Sequence, residues 1–190
     1  MPTASIATGS PTGLTMNGAC PVDGPHIGLV AFVAVTPLSS GTSVSTFASR
    51  TMTYGPSNLP MTNLGAIDGA GTANGWIEMW VLKGVVYGAG SASKVVYDAG
   101  AAVKSIIIET ITYLNVDQFT PGSFVTNSVT GTSCNLFVAS AKGKYVVGGA
   151  ICSAAITGAP NGALKLNDAS GAAGNAKSLA VIDADGDSVL

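Results

Sequence analysis

Apolar and polar residues follow a strand-like pattern along most of this chain. Ile27–Val35 is a continuous apolar run of β-branched and aromatic residues that ends before Pro37, which is typical of a strand buried on both faces. Gly75–Leu82 alternates instead, so one face carries Trp76, Glu78, Trp80 and Leu82 and the other carries Ile77, Met79 and Val81. Both patterns predict β-strands.

The same criteria predict further strands, separated by clusters of Gly, Asn and Ser. Val44–Tyr54 is predicted as one strand with Arg50, Met52 and Tyr54 on a shared face. The remaining predicted strands are Ser93–Asp98, Val103–Leu114, Asn135–Ala139, Lys144–Thr157 and Leu179–Ile182. About eight to ten short strands with turns at this spacing predict one all-β domain, an antiparallel β-sandwich of jelly-roll-like type.

A helical fold is disfavoured because the predicted strands are dense in residues that pack better on a pleated sheet than in a helix. Ala169–Lys177 is the best helical candidate, yet Gly171 and Gly174 interrupt it and favour a loop.

Residues 1–26 differ from the rest in being rich in Pro, Gly, Thr and Ser. We predict an extended amino-terminal arm here, followed by the sandwich domain over residues 27–190. Such an arm can cover a large surface of a partner. The partner-contacting candidates on it are Pro2, Ile6, Pro11, Leu14, Pro21 and Pro25.

Charge is the unusual feature of the composition. Eight basic and ten acidic residues make 9% of the 190-residue chain and leave a net charge of −2, where about 25% is typical of a soluble domain. Arg50 is the single arginine, so the clustered cations of a nucleic-acid-binding face are lacking. We expect no nucleic-acid partner. We also expect no membrane partner, because no apolar run reaches the length that spans a bilayer, and residues 1–49 lack the basic residues of a targeting signal.

Few residues offer catalytic or metal-binding chemistry. His26, the only histidine, lies near Cys20 and Asp23, but a Pro-bounded segment provides no rigid frame for catalysis and two ligands too few for zinc. Asp183, Asp185 and Asp187 match only part of a calcium loop, and a solvated turn is the favoured interpretation. Catalytic residues, metals and cofactors are therefore not expected.

Glycine-rich and cysteine positions have structural interpretations. Gly84–Gly90 and Gly148–Gly149 lack the context of a phosphate-binding loop and are predicted to be turns or bulges. The three cysteines, Cys20, Cys134 and Cys152, allow at most one bridge within the chain, and burial as thiols is favoured.

The two glutamates and the tryptophan strand leave alternatives open. Glu78 and Glu109 have the residue type of a glycosidase carboxylate pair, a function whose test is the distance between the two carboxyls. Trp76, Glu78 and Trp80 form either a carbohydrate-binding face or, by preference, a face that packs against a neighbouring strand or subunit. A host glycan therefore stays a second candidate partner.

Three segments carry a resemblance to a known family: ASRTMTYG (Ala48–Gly55), GWIEMWVL (Gly75–Leu82) and ITYLNVDQFTP (Ile111–Pro121). In this order and spacing they resemble β-sandwich virion proteins of tailed bacteriophages, of the minor tail and head-decoration types. Val116, Asp117, Gln118 and Pro121 match the corner of that pattern, while Leu114 and Asn115 stand where smaller turn residues are usual.

The resemblance implies a non-enzymatic structural protein of a virion assembled in the host cytoplasm. A domain with so few charged residues also suits burial by neighbours in a large assembly. We expect a capsid-decorating protein whose partners are the major capsid protein or other virion proteins. A minor tail protein or carbohydrate-binding adhesion module is the alternative, and self-association as a homo-oligomer stays open.

Overall fold

The computed structural model describes residues 3–20, 26–70, 75–84, 93–116, 124–130, 144–152, 163–169 and 178–185 of the chain. Within these ranges the chain forms twelve strands and one short 3-10 helix, Val44–Thr46. The strands are β1 Thr3–Thr8, β2 Gly13–Met16, β3 Gly28–Thr36, β4 Thr51–Tyr54, β5 Leu59–Pro60, β6 Thr62–Asp68, β7 Trp76–Lys83, β8 Val95–Asp98, β9 Ser105–Tyr113, β10 Tyr145–Cys152, β11 Ala163–Ala169 and β12 Ser178–Asp185.

A five-stranded antiparallel sheet lies at the centre of the molecule, in the order β1-β9-β3-β7-β6. Every residue of β3 is buried, because side chains on both faces of this strand pack against another layer. A strand that is buried on both faces needs apolar residues at successive positions, which explains the continuous apolar run Ile27–Val35.

A second antiparallel sheet, β2-β8-β4-β5, packs against one face of the central sheet. Alternate residues of the two sheets meet there in a core, as side chains at every second position of a strand share one face. From the central sheet the core takes Leu29, Ala31, Val33, Val35, Trp76, Trp80, Ile106 and Ile108, and from the second sheet Met16, Met52, Tyr54, Val95 and Tyr97.

A third antiparallel sheet, β10-β12-β11, covers the opposite face of the central sheet. Phe32, Ile107 and Leu179 are buried in this smaller core. Gly149 lies so close to Phe32 that a Cβ at this position would stand 2.3 Å from the ring, so a glycine is required for the two sheets to approach this closely. The prediction that Gly148–Gly149 forms a turn or bulge is therefore wrong, since both residues lie inside β10.

The prediction of an all-β antiparallel sandwich is confirmed. The jelly-roll-like topology stays a prediction. The predicted strands Ile27–Val35, Gly75–Leu82, Ser93–Asp98, Val103–Leu114, Lys144–Thr157 and Leu179–Ile182 correspond to β3, β7, β8, β9, β10 and β12. The predicted strand Asn135–Ala139 lies outside the described ranges. Of the predicted loop Ala169–Lys177, Ala169 is the last residue of β11 and residues 170–177 lie outside the described ranges.

The predicted amino-terminal arm is wrong for residues 3–20. Strand β1 pairs with β9 at the edge of the central sheet, and β2 pairs with β8 at the edge of the second sheet. Ala19 and Cys20 are completely buried, and the Ala19 amide donates to the Ser93 carbonyl at 2.7 Å. Edge strands are held by backbone hydrogen bonds on one side, so they tolerate the Gly- and Thr-rich composition that suggested an arm. A domain boundary at residue 26 would cut through the sandwich.

The single strand predicted over Val44–Tyr54 is also wrong in its first half. Val44–Thr46 forms the 3-10 helix, and only Thr51–Tyr54 is a strand. The Ser43 hydroxyl caps the helix by accepting from the Ser45 amide at 3.3 Å, an interaction of Ser side chains that competes with strand pairing. Met52 and Tyr54 do share a buried face, as predicted.

Candidate functional site

The best-defined polar cluster in the described structure is centred on Glu78 of β7. Strand alternation directs Trp76, Glu78 and Trp80 towards the second sheet. All three are buried, with exposed fractions of 0%, 1% and 5%. A charged side chain in such a position is costly unless polar partners surround it.

Four side chains donate hydrogen bonds to the Glu78 carboxylate. Oε1 accepts from Trp76 Nε1 at 2.7 Å and from the Tyr97 hydroxyl at 2.7 Å. Oε2 accepts from Trp80 Nε1 at 3.0 Å and from Asn63 Nδ2 at 3.1 Å. Each oxygen therefore has two neutral donors, which stabilise the ionised carboxylate in place of water.

Arg50 supplies the positive charge of the cluster. Its Nε lies 3.0 Å from Glu78 Oε1, and the Arg50 side chain is 16% exposed. The same guanidinium donates through an Nη atom to the carbonyl of Val44, at 2.6 Å, and to the carbonyl of Phe47. Arg50 thus links the buried carboxylate to the backbone of the 3-10 helix.

A second carboxylate, that of Asp68 on β6, holds the other end of this helix. Its Oδ1 accepts from the Val44 amide at 2.7 Å and its Oδ2 accepts from the Ser43 hydroxyl at 2.6 Å. Helix amino termini favour such acceptors because their first amides have no partner within the helix. In addition, the Phe47 ring packs on Trp76 with 4.7 Å between ring centroids.

Burial changes the ionisation of the tyrosines in this core. Burial first, and then the negative charge and hydrogen bond of Glu78, raise the pKa of Tyr97 well above its ordinary value. Burial also raises the pKa of Tyr54, and its hydrogen bond with the Cys20 thiol adds to the effect. Tyr97 is therefore a neutral donor to Glu78 throughout the physiological pH range.

The burial of the tryptophans decides between the two interpretations of this strand. A carbohydrate platform needs exposed ring faces, and neither Trp76 nor Trp80 has one. The edge of the Trp80 ring instead meets Tyr97, at 6.4 Å between centroids. The glycan-binding interpretation is wrong for this face, and the packing interpretation agrees with the structure.

The two glutamates do not form a carboxylate pair. In the sheet register, Glu78 is paired with Val33 of β3, while Glu109 is paired with Phe32, the residue before Val33 on the same strand. Because neighbouring residues of a strand point to opposite faces, the backbone of the central sheet separates the two side chains. Glu109 is buried on the side of the third sheet.

Other predicted chemistry is dispersed. His26 is exposed, has a φ of 55° and accepts from the Val116 amide through its carbonyl at 2.8 Å. Cys20 is buried, Cys152 is half-buried, and Asp23 and Cys134 lie outside the described ranges. Asp183 and Asp185 belong to β12, so a turn is wrong for them, and Asp187 is not among the described residues.

The partner-contacting candidates of the first 26 residues are divided between surface and core. Ile6 on β1 is 38% exposed. Pro11 is half-buried and its carbonyl accepts from the Val103 amide at 2.9 Å, while Leu14 packs on the core between the sheets. Pro2, Pro21 and Pro25 lie outside the described residues.

Sequence reasoning missed Arg50, Asn63 and Tyr97 as partners of Glu78. The available signal was the single arginine of the chain, at a position that shares a predicted strand face with two large apolar residues. An arginine on such a face requires a buried acceptor, and only two glutamates are present.

The four neutral donors of the cluster, from Trp76, Tyr97, Trp80 and Asn63, are paired with the Glu78 carboxylate. Within the described ranges, no group of three or more potential metal-ligating side chains is assembled, and no helix has the length and apolar character needed to cross a membrane. Comparison with protein-family models, with curated proteins and with solved structures gives no match for this chain.

Proposed function

We propose that this protein is a structural component of a tailed-phage virion, a capsid-decorating protein that binds the outer shell. The observation that carries the proposal is the scarcity of surface charge. Charged residues make 9% of the chain, and three of them, Arg50, Glu78 and Glu109, are used largely inside the fold. Soluble domains ordinarily rely on a surface rich in both charge signs to stay dispersed.

Exposed apolar side chains are a second observation in favour of a surface that neighbouring proteins cover. Several large aliphatic or aromatic residues of the described chain are more than one third exposed: Ile6, Leu38, Leu59, Leu114, Phe124, Val125 and Val129. Single exposed apolar residues are ordinary on a protein. Their combination with so little charge favours stable contact with other proteins.

Strand β1, at the edge of the central sheet, also favours contact with other proteins. Its sequence, TASIAT, contains neither a charged residue nor a proline, the usual features that prevent a sheet edge from pairing with another chain. Among the described strands, β1 pairs on one side only, with β9. An edge of this kind suits a protein whose edges meet neighbours in an assembly.

Attachment is assigned to the sandwich surface rather than to a free arm, because residues 3–20 are built into the sheets. Of the segments that resemble phage virion proteins, the first includes β4 and its turn at Gly55, the second includes most of β7, and the third begins in β9. Asp117, Gln118 and Pro121 of the third segment lie outside the described residues. Beyond β9, Leu114 is 48% exposed and Asn115 has a φ of 57°, and the chain bends at this pair despite the size of its side chains.

Cosedimentation tests the proposal. Purified protein would be mixed with tailed-phage particles that lack it, from the phage whose genome encodes the chain, and with isolated tails. We expect the protein to sediment with heads at a fixed number of copies per particle. Binding to tails alone would favour the minor tail alternative. Failure to bind either, with the protein dispersed as a monomer at high concentration, would contradict a structural role in the virion.

A further inference from the structure

The loop of residues 37–49 is uncharged, largely exposed from residue 38 onwards and anchored by side-chain contacts at its end. It contains no Asp, Glu, Lys or Arg. Leu38 at its start is 56% exposed, the largest exposed fraction among the exposed large apolar residues. The Thr42 hydroxyl donates to the Ser39 carbonyl at 2.9 Å, and Gly41 has a φ of 79°, which gives the tip a defined turn.

Three charged side chains, of which Glu78 is buried and the other two are partly buried, fix the end of this loop. Arg50 holds the carbonyls of Val44 and Phe47 while it pairs with Glu78, and Asp68 holds the Val44 amide. The helix that these contacts secure has no buried residue of its own. Val44 and Phe47 nevertheless pack on the core between the sheets, so the polar contacts act together with this partial packing to fix the helix.

A buried ion pair is a poor source of stability, because removing two charges from water costs about as much as their attraction returns. Its effect here is geometric: it sets the position of a neutral surface loop. A preordered loop loses less conformational entropy when it binds a partner, so its affinity is higher.

We infer that the Glu78–Arg50 pair and Asp68 form a clamp, and that the clamped loop, residues 37–49, is the surface through which the protein contacts its shell. The partner is a neutral protein surface that accepts Leu38 and the loop hydroxyls, since the loop offers no charge for electrostatic recognition. The partner assignment rests on the proposed function; the clamp does not.

Amide hydrogen exchange tests the clamp without any partner. Asp68→Ala removes the two contacts made by that carboxylate on a half-buried strand, where the fold is expected to survive. We expect exchange at Val44 to quicken by about tenfold, the effect of losing one helix cap, while amides of β3 and β9 keep their rates. Unchanged exchange at Val44 would overturn the clamp. Arg50→Met, if folded, is expected to act in the same way.

Binding to particles tests the surface. Leu38→Asp places a charge on the loop, and Thr62→Asp, on β6, is the control, because Thr62 is exposed, lies outside the loop and is not one of the exposed apolar residues named above. We expect Leu38→Asp to weaken cosedimentation with heads at least about tenfold, the cost of burying one unpaired charge at a contact, and Thr62→Asp to bind like the unaltered protein.

Two outcomes separate the inference from the proposed function. Normal binding by Leu38→Asp, or equal losses in Leu38→Asp and Thr62→Asp, would overturn the loop as the contact surface while leaving a virion role intact. Absence of binding by the unaltered protein would overturn the virion role and the partner assignment. The exchange measurement needs no partner and would still test the clamp.

Discussion

Replacing Glu78 by glutamine tests whether the buried network holds the sandwich together, because the side chain keeps its size and loses its charge. A carboxylate accepts at both oxygens, but an amide accepts at one and donates at the other. With the amide oxygen at the Oε1 position, the amide nitrogen faces the N–H groups of Trp80 and Asn63, which lie 3.0 and 3.1 Å from Oε2.

The size of the loss in unfolding free energy depends on which partners of residue 78 cannot rearrange around the new amide. Asn63 is half-buried and can rotate its amide to present oxygen. Trp80 cannot, and leaving its N–H unpaired costs about 1–3 kcal/mol. Arg50 also loses its counter-charge at 3.0 Å, and breaking a buried ion pair brings the expected total loss in unfolding free energy to about 3–5 kcal/mol.

Urea unfolding followed by tryptophan fluorescence measures this loss, because both tryptophans of the chain donate to Glu78. Asp98→Asn is the matched control: it removes one negative charge from an exposed residue whose Oδ1 accepts from the Gly100 amide, and its effect should stay within about 0.5 kcal/mol. A loss below about 1 kcal/mol for Glu78→Gln would mean that the buried network around Glu78 contributes little to stability.

Three further predictions concern the same cores. Trp80→Ala is expected to cost about 3–5 kcal/mol in the same assay, as for a large buried aromatic residue; a cost below about 1 kcal/mol would mean that the ring is not part of the core. Gly149→Ala should lose about 1–3 kcal/mol through overpacking against Phe32, and unchanged stability would show that the third sheet does not lie so close. For Tyr97, a raised native pKa means that the folded state keeps its proton longer than the unfolded state, so this contribution is complete below pH about 10 and is lost as pH rises further. Unfolding free energies measured across that range should fall less steeply for Tyr97→Phe than for the unaltered protein, and equal slopes would contradict the coupling.

The central strands could be predicted because the pattern of apolar and polar residues along them follows their burial. β3 is apolar throughout since layers cover both of its faces, and β7 alternates visibly between its tryptophan face and its aliphatic face. By contrast, β6 and β11, TNLGAID and ALKLNDA, contain few β-branched residues and no clear alternation. Their strand conformation comes from pairing with β7 and β12, which a single sequence does not reveal.

The amino-terminal strands and the site were missed for a related reason. β1 and β2 are edge strands whose stability comes from backbone pairing with residues about 100 and 80 positions later, which is a matter of topology. Likewise, alternation placed Trp76, Glu78 and Trp80 on one face. It could not show that Tyr97, on a strand of the opposite sheet, meets Glu78 across the sandwich.

Imaging the intact virion at a resolution that resolves single domains would show whether this protein decorates the capsid. Particles would come from the phage whose genome encodes this chain, with particles from a deletion of the gene as the reference. For a capsid-decorating protein we expect sandwich-shaped density on the outer face of the head, repeated with the symmetry of the shell and present only when the gene is present. Identical maps from the two kinds of particle would contradict it.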